Sequence, residues 1–160
     1  FLIKVRDKTS EANNAVRTIR NVRAQIEERT AGGSRALRRE ADRILAAMAA
    51  VEGEIYQVKN QSSQDPLNFP VKINNKIAAL AGVAASGPYR PTDQSVAVYE
   101  EVSQMLRVQT DRLEKILRED LERLNRQLRA AGKQAIVPST DLPTPTPGPI
   151  ADDDDMAPAA

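Results

Sequence analysis

The sequence predicts an all-α protein: an antiparallel four-helix bundle with an overlong fourth helix and an extended, Pro-rich, acidic C-terminal tail. Three observations carry this. Apolar residues recur at alternating spacings of three and four through four separate stretches, the period of one helix face. Aromatics make up only 3% and Trp is absent, while Ala, Leu, Ile and Val dominate beside Arg and Glu, so the core is aliphatic and the mix favours helix over sheet. Short breaks rich in Gly, Pro and Asn separate the stretches, and six of the ten prolines lie in residues 138–160.

The first helix is expected over about residues 7–29, with Ile3 as its earliest start. Its stripe is Ala12, Ala15, Ile19, Val22 and Ile26. Ala-Gly-Gly-Ser at 31–34 ends it, and Ser34 is placed to cap the next helix. The second is expected over about 35–59. Leu37, Ala41, Ile44, Met48, Val51, Ile55 and Val58 form an unbroken stripe that faces the bundle. The third, about 71–86, has Ile73, Ile77, Leu80 and Ala84 inward and stops at Gly87-Pro88.

The fourth, about 92–131, starts with Thr92 as N-cap and Asp93 in its first turn. Tyr99, Val102, Leu106, Gln109, Leu113 and Ile116 form one stripe. Leu113, Leu117, Leu121, Leu124 and Leu128 form a second, rotated against the first. The phase slips near Leu113, as it does where a helix changes partners or a coiled coil stutters. Gly132 ends the helix. Residues 1–132 then form the bundle and 133–160 the tail, polyproline-like over PSTDLPTPTPGP and acidic and disordered at its end.

Helix lengths set the expected packing. At about 1.5 Å per residue the first two helices span roughly 35–40 Å, the third about 24 Å and the fourth about 60 Å. Short connections after the first and third helices imply antiparallel neighbours, giving an up, down, up, down path. On that path the second half of the fourth helix overhangs the third. Its row Leu117, Leu121, Leu124 and Leu128 must be covered, since apolar surface left in water forgoes about 25 cal/mol per Å². The expected covers are Leu2, Ile3 and Val5, the loop carrying Leu67 and Phe69, and a second copy of the chain or an upstream domain. That row is therefore the proposed self-association face. The loop itself reads as a structural corner: Asp65-Pro66 sets a turn, Leu67 and Phe69 fold over the fourth helix, Asn68 caps the third, and Pro70 lies in its first turn.

Little chemistry is visible. The chain has no Cys and no His, which removes disulfides, thiolate nucleophiles, the usual zinc sites and imidazole catalysis. The pairs Glu27-Glu28, Glu100-Glu101 and Glu119-Asp120 are sequence neighbours that point about 100° apart on a helix, so none is an acid–base couple. No phosphate-binding glycine loop or nucleophile elbow is present. The four Asp at 152–155 have no fixed geometry for a metal. Neither a catalytic residue nor a cofactor is implied. Asn60-Gln61-Ser62 fits the N-glycosylation acceptor pattern on a loop. Among the Asn residues on helices (Asn13, Asn14, Asn21, Asn74, Asn75), partial burial in polar networks is the preferred reading.

The net charge of +1 divides into +5 over residues 1–132 and −4 over 133–160. The basic groups of the body alternate with acids, which is a solvated helix surface rather than a nucleic-acid stripe. No apolar run reaches the ~18–20 residues of a membrane span. FLIKV, with Phe1 in place of Met, reads as the interior of a longer chain.

Two blocks, RDKTSEANNAVRTIRNVRAQIEER (6–29) and YQVKNQSSQDPLNFPVKINNKIAALAGVAASGPYRPTDQSVAVYEEVS (56–103), resemble the C-terminal helical region of large bacterial sortilin-like, BNR-repeat β-propeller proteins, often labelled glycosyl hydrolases. YQVKNQSSQDPLNFPVKINNK followed by RPTDQ is the most specific piece, and the likeness covers most of residues 6–131. The resemblance implies an upstream β-propeller in the same chain and export from the cytoplasm. It brings no catalytic residue with it. The expected function is a non-catalytic structural and protein–protein interaction module that self-associates through apolar helix faces into homo-oligomers, filaments or tubes. The competing expectations are an accessory domain of a propeller-type glycoside hydrolase or polymer-binding protein, and a basic-faced binder of acidic polymers.

Overall fold

The computed structural model describes residues 1–59, 69–85 and 90–141, and among these there is no strand. Helix α1 is Leu2–Thr30, α2 is Arg35–Ile55 and α3 is Ile73–Ala85. The fourth rod is continuous: α4, Asp93–Lys115, passes through a π-helical turn, Ile116–Leu121, into α5, Glu122–Ala130. The fold is the predicted all-α bundle, with its fourth helix the longest.

The predicted caps form. Ser34 Oγ accepts the Leu37 amide at 3.2 Å, and Thr92 Oγ1 accepts the Ser95 amide at 3.2 Å. Gly32 and Gly132 take φ of +66° and +71°, the left-handed geometry that ends a helix at low cost only in glycine. The ends differ from expectation in three places. Helix α1 begins at Leu2, and Val5 is buried by it. Helix α2 stops at Ile55 rather than 59, so Val58 is exposed. Helix α3 begins at Ile73, so Pro70 lies in non-helical backbone before it and not in its first turn.

The direction of α3 also differs from the expected up, down, up, down path. Near the start of α4, Tyr99 packs edge-on to Phe1 at 5.6 Å and its hydroxyl donates to the Lys4 carbonyl at 3.3 Å. At the far end, Arg123 of α5 reaches Glu40 near the start of α2 at 2.8 Å. The fourth rod therefore runs parallel to α1, and α2 runs against both. Helix α3 leaves the end of α2, where Gln57 Nε2 donates to the Pro70 carbonyl at 3.0 Å, and finishes with Ala84 beside Phe1, Leu2 and Ile3. It continues in the direction of α2. The two shorter helices lie end to end and together flank the long α1 and α4–α5, with α3 packed on α1 and α4, and α2 on α1, α4, the π turn and α5.

This arrangement removes the expected overhang. The fourth rod outlasts α3 because its lower half belongs to α2. The core is a single aliphatic column, including Ile19, Ile26, Ile44, Met48, Ile55, Ile77, Leu106, Leu121, Leu124 and Leu128. Leu2 and Ile3 stay exposed at the opposite end of the bundle from that leucine row and do not cover it. Phe69 is half-buried and sits beside Lys59, whose Nζ lies 5.7 Å from the ring centroid, so it does not cover the row either.

The phase slip predicted near Leu113 appears as the π turn. Buried positions run Val102, Leu106, Leu113, Ile116 and then Leu121, Leu124, Leu128. The step from 116 to 121 is one residue too long for an α-helical stripe. A π turn accommodates one extra residue and returns Leu121 to the core face. Before it α4 packs on both α3 and α2, and the packing on α2 continues through the turn and α5.

Candidate functional site

The proposed self-association row is largely internal. Leu121, Leu124 and Leu128 are buried within the chain and Leu117 is half-buried. A row already packed against α2 offers no face to a second copy, so these leucines are corrected from interface to core. Of the corner, Asp65, Pro66, Leu67 and Asn68 lie outside the described residues, as do Asn60, Gly87-Pro88 and the four Asp of the tail. Pro70 serves the corner through its carbonyl, which ties the start of the α3 approach to Gln57.

The most elaborate polar arrangement involves residues that, Asn21 apart, the sequence did not single out. After Gly132 the chain runs without helix along α1 and α5 as a strap. Asn125 Nδ2 donates to the Ile136 carbonyl at 2.9 Å while Asn125 Oδ1 accepts the Ile136 amide at 2.7 Å. Gln25 repeats the pattern on Val137, donating to its carbonyl at 2.8 Å and accepting its amide at 3.2 Å. Asn21 accepts the Ser139 amide at 3.2 Å and donates to the Asp141 carbonyl at 2.8 Å. Arg29 donates to the Ala135 carbonyl, and Lys133 Nζ donates to the carbonyls of Arg29 and Ala31 at 2.6 and 3.1 Å, satisfying acceptors at the end of α1.

Asn21, Gln25 and Arg29 are spaced four apart, so α1 presents them in one line. Side-chain amides along that line do for the strap what a neighbouring strand edge does in a sheet. Ile136 is the apolar anchor, 2% exposed, whereas Val137 beside it points to solvent. Pro138 has no amide hydrogen and is not asked for one. Residues 133–141 are thus docked rather than free, and 142–160, with most of the stretch expected to be polyproline-like, lie outside the described residues.

Two charged clusters hold the lower half. Glu52 of α2 is buried, and its two oxygens accept from Arg20 Nε at 2.8 Å and Arg23 at 2.6 Å, with Arg20 also over the Tyr56 ring at 5.1 Å. Two guanidiniums on one carboxylate satisfy the charge that burial would otherwise leave isolated. At the π turn, Glu40 accepts from Arg43 and Arg123 at 2.8 Å each, and both arginines also reach Asp120. Hydrogen bonds from Arg43 and then Arg123 hold the Glu40 carboxyl below its ordinary value, and both arginines are held the more firmly protonated by Glu40 and Asp120.

The upper half of α4 differs. Val98, Met105 and Val108 are exposed, and their spacing of seven and three puts them on one side of the helix. Between α1 and α4 an open cleft of about 510 Å³ is lined by Lys8, Glu11, Tyr99, Ser103, Arg107 and Asp111. Ser103 Oγ is buried there with no hydrogen-bond partner among the described residues. Among the described residues no group of His, Cys, Asp or Glu could hold a metal, and no helix is long and apolar enough to cross a membrane. Of the helix Asn residues, Asn21 is half-buried in a polar network as expected, Asn75 is half-buried, Asn74 is buried with its Oδ1 unpartnered among the described residues, and Asn13 and Asn14 are exposed. No family model, curated protein or solved structure matches this chain.

Proposed function

We propose that this chain is a non-catalytic structural and interaction module that self-associates through an apolar helix face. With the leucine row internal, the face is the exposed side of α4 that carries Val98, Met105 and Val108. The observation that supports the reading is the contrast along one rod: below the π turn the apolar side chains are packed against α2, while above it three remain in water within about 15 Å of helix. Covering such a side is favourable in proportion to its area. The assembly is homo-oligomeric, and a head-to-tail contact would extend it into filaments or tubes.

Light scattering and electron microscopy of the purified chain test this. Concentration-dependent oligomers that revert to monomer in a Met105→Glu, Val108→Glu double variant are expected. A wild-type chain that stays monomeric at high concentration overturns the reading. The place of the module behind an exported β-propeller is part of the same proposal and is carried by residues 6–29 and 56–103 alone. The coding sequence upstream of Phe1 tests it: β-propeller repeats are expected there, and their absence removes that part.

A further inference from the structure

The strap groove is more specific than a tail needs merely to be kept out of the way. Seven hydrogen bonds, all from side chains of Asn21, Gln25, Arg29 and Asn125, reach backbone amides and carbonyls of residues 135–141. Backbone groups are common to every peptide, so these bonds select an extended conformation and not a sequence. Sequence enters at one place, the buried Ile136 side chain. Pro138 falls where no amide donor is required, and its fixed φ favours the extended state before binding.

The strap joins α5 through the single turn at Gly132 and Lys133, and Gly132 has the backbone freedom to serve as a hinge. Opening that hinge would transfer every strap contact unchanged to another groove. A segment that can leave its own body and enter an identical one is the basis of domain swapping.

We propose that the groove between α1 and α5 is a binding site for an extended peptide with one aliphatic anchor, and that its occupant in trans is residues 133–141 of a second copy of this chain. In cis the strap competes at an effective concentration on the order of millimolar, so exchange becomes appreciable only when copies are similarly concentrated or refold together. The site is separate from the exposed face of α4, and Met105→Glu with Val108→Glu leaves it intact. Failure of one proposal is therefore visible without the other.

The test has two arms, both on the full chain. The first opens the groove with Ile136→Asp and adds a fluorescent peptide of sequence KQAIVPSTD. The open chain is expected to bind it at least about tenfold more tightly than wild type, and to ignore the same peptide carrying Asp at the Ile136 position. A helical Ile136→Asp chain that binds neither peptide overturns the site. If that variant loses its helical circular dichroism, Ile136→Ala takes its place; loss of fold in both makes the strap an obligate part of the core and also overturns the proposal. The second arm uses the absence of cysteine in the chain. Gln25→Cys with Val137→Cys, refolded under oxidising conditions, should give an intrachain disulfide when dilute and disulfide-linked dimers as concentration rises to millimolar. Intrachain bonds alone at every concentration overturn the second copy as occupant.

Discussion

Asn125 holds Ile136 by both backbone polar atoms, at 2.9 and 2.7 Å, with both residues buried. The strap is thereby part of the folded body, so its loss should register in global stability. Ile136→Ala removes a buried aliphatic anchor and is expected to cost about 2–4 kcal/mol. Asn125→Ala leaves the Ile136 amide and carbonyl without partners in a buried place and should cost about 1–3 kcal/mol. Urea unfolding of the full chain measures both. Changes below half a kcal/mol would mean that residues 133–141 do not rest on the bundle in solution.

Glu52 gives a second prediction. Its carboxylate is buried between α1 and α2 and is the only acid in contact with Arg20 and Arg23 among the described residues. Glu52→Ala leaves two guanidiniums facing a cavity. Because Arg20 and Arg23 are about a third or more exposed, water relieves part of the charge, and about 1–3 kcal/mol is expected rather than the full cost of a buried orphan charge. Glu52→Gln keeps the shape and one acceptor and should lose less. If Glu52→Ala melted at the wild-type temperature, the pair would carry no stability.

What the sequence conveyed and what it did not follow from range. Ser34, Thr92 and Gly132 were readable as helix ends because capping is a contact between near neighbours. The inward faces of α1, α2 and α3 were readable from spacing alone, and so was the slip in the fourth helix, although spacing did not distinguish a coiled-coil stutter from the π turn between Ile116 and Leu121. The direction of α3 was not readable, since it depends on how residues between Ile55 and Ile73 carry the chain, and a loop that long permits a reversal or a continuation. The assignment of Leu121, Leu124 and Leu128 to self-association followed from that one error of direction. The strap was hidden for another reason: Ile136 is a lone apolar residue in a polar stretch, and Asn125 and Gln25 look like ordinary solvated helix residues until an extended chain lies across them. An Asn, a Gln and an Arg at intervals of four on α1 were the one available signal.

Acid should loosen the seam at the π turn. Arg43 and Arg123 hold the Glu40 carboxyl below its ordinary value near 4.5. A carboxyl whose folded value is depressed stabilises the fold above its unfolded value, and that stabilisation disappears as pH falls through the lower folded value. The wild type should therefore melt above Glu40→Gln at pH 7, and the gap should narrow steadily below about pH 4.5. Comparing the two proteins isolates Glu40 from the other carboxylates that titrate in the same window. A gap independent of pH would assign the effect of the substitution to shape rather than charge.

The π turn yields the sharpest contrast. It exists because Ile116 and Leu121, both buried, stand five apart where an α-helix places core residues three or four apart. Deleting the exposed Glu119 shortens that step to four. The turn can then relax to α-helix while Leu121, Leu124 and Leu128 keep their faces and Asp120 stays in reach of the seam. Deleting the equally exposed Glu101 has no extra residue to remove. It rotates Val102, Leu106 and Leu113 by about 100° relative to the start of α4 and takes at least one block of core residues out of register. Loss of Glu119 should leave the thermal midpoint within a few degrees of wild type, while loss of Glu101 should cost several kcal/mol or abolish the cooperative transition. Circular dichroism melts of the two deletions decide it. Equal damage from both would show that the π turn is held by its own contacts and not by the spacing of the core.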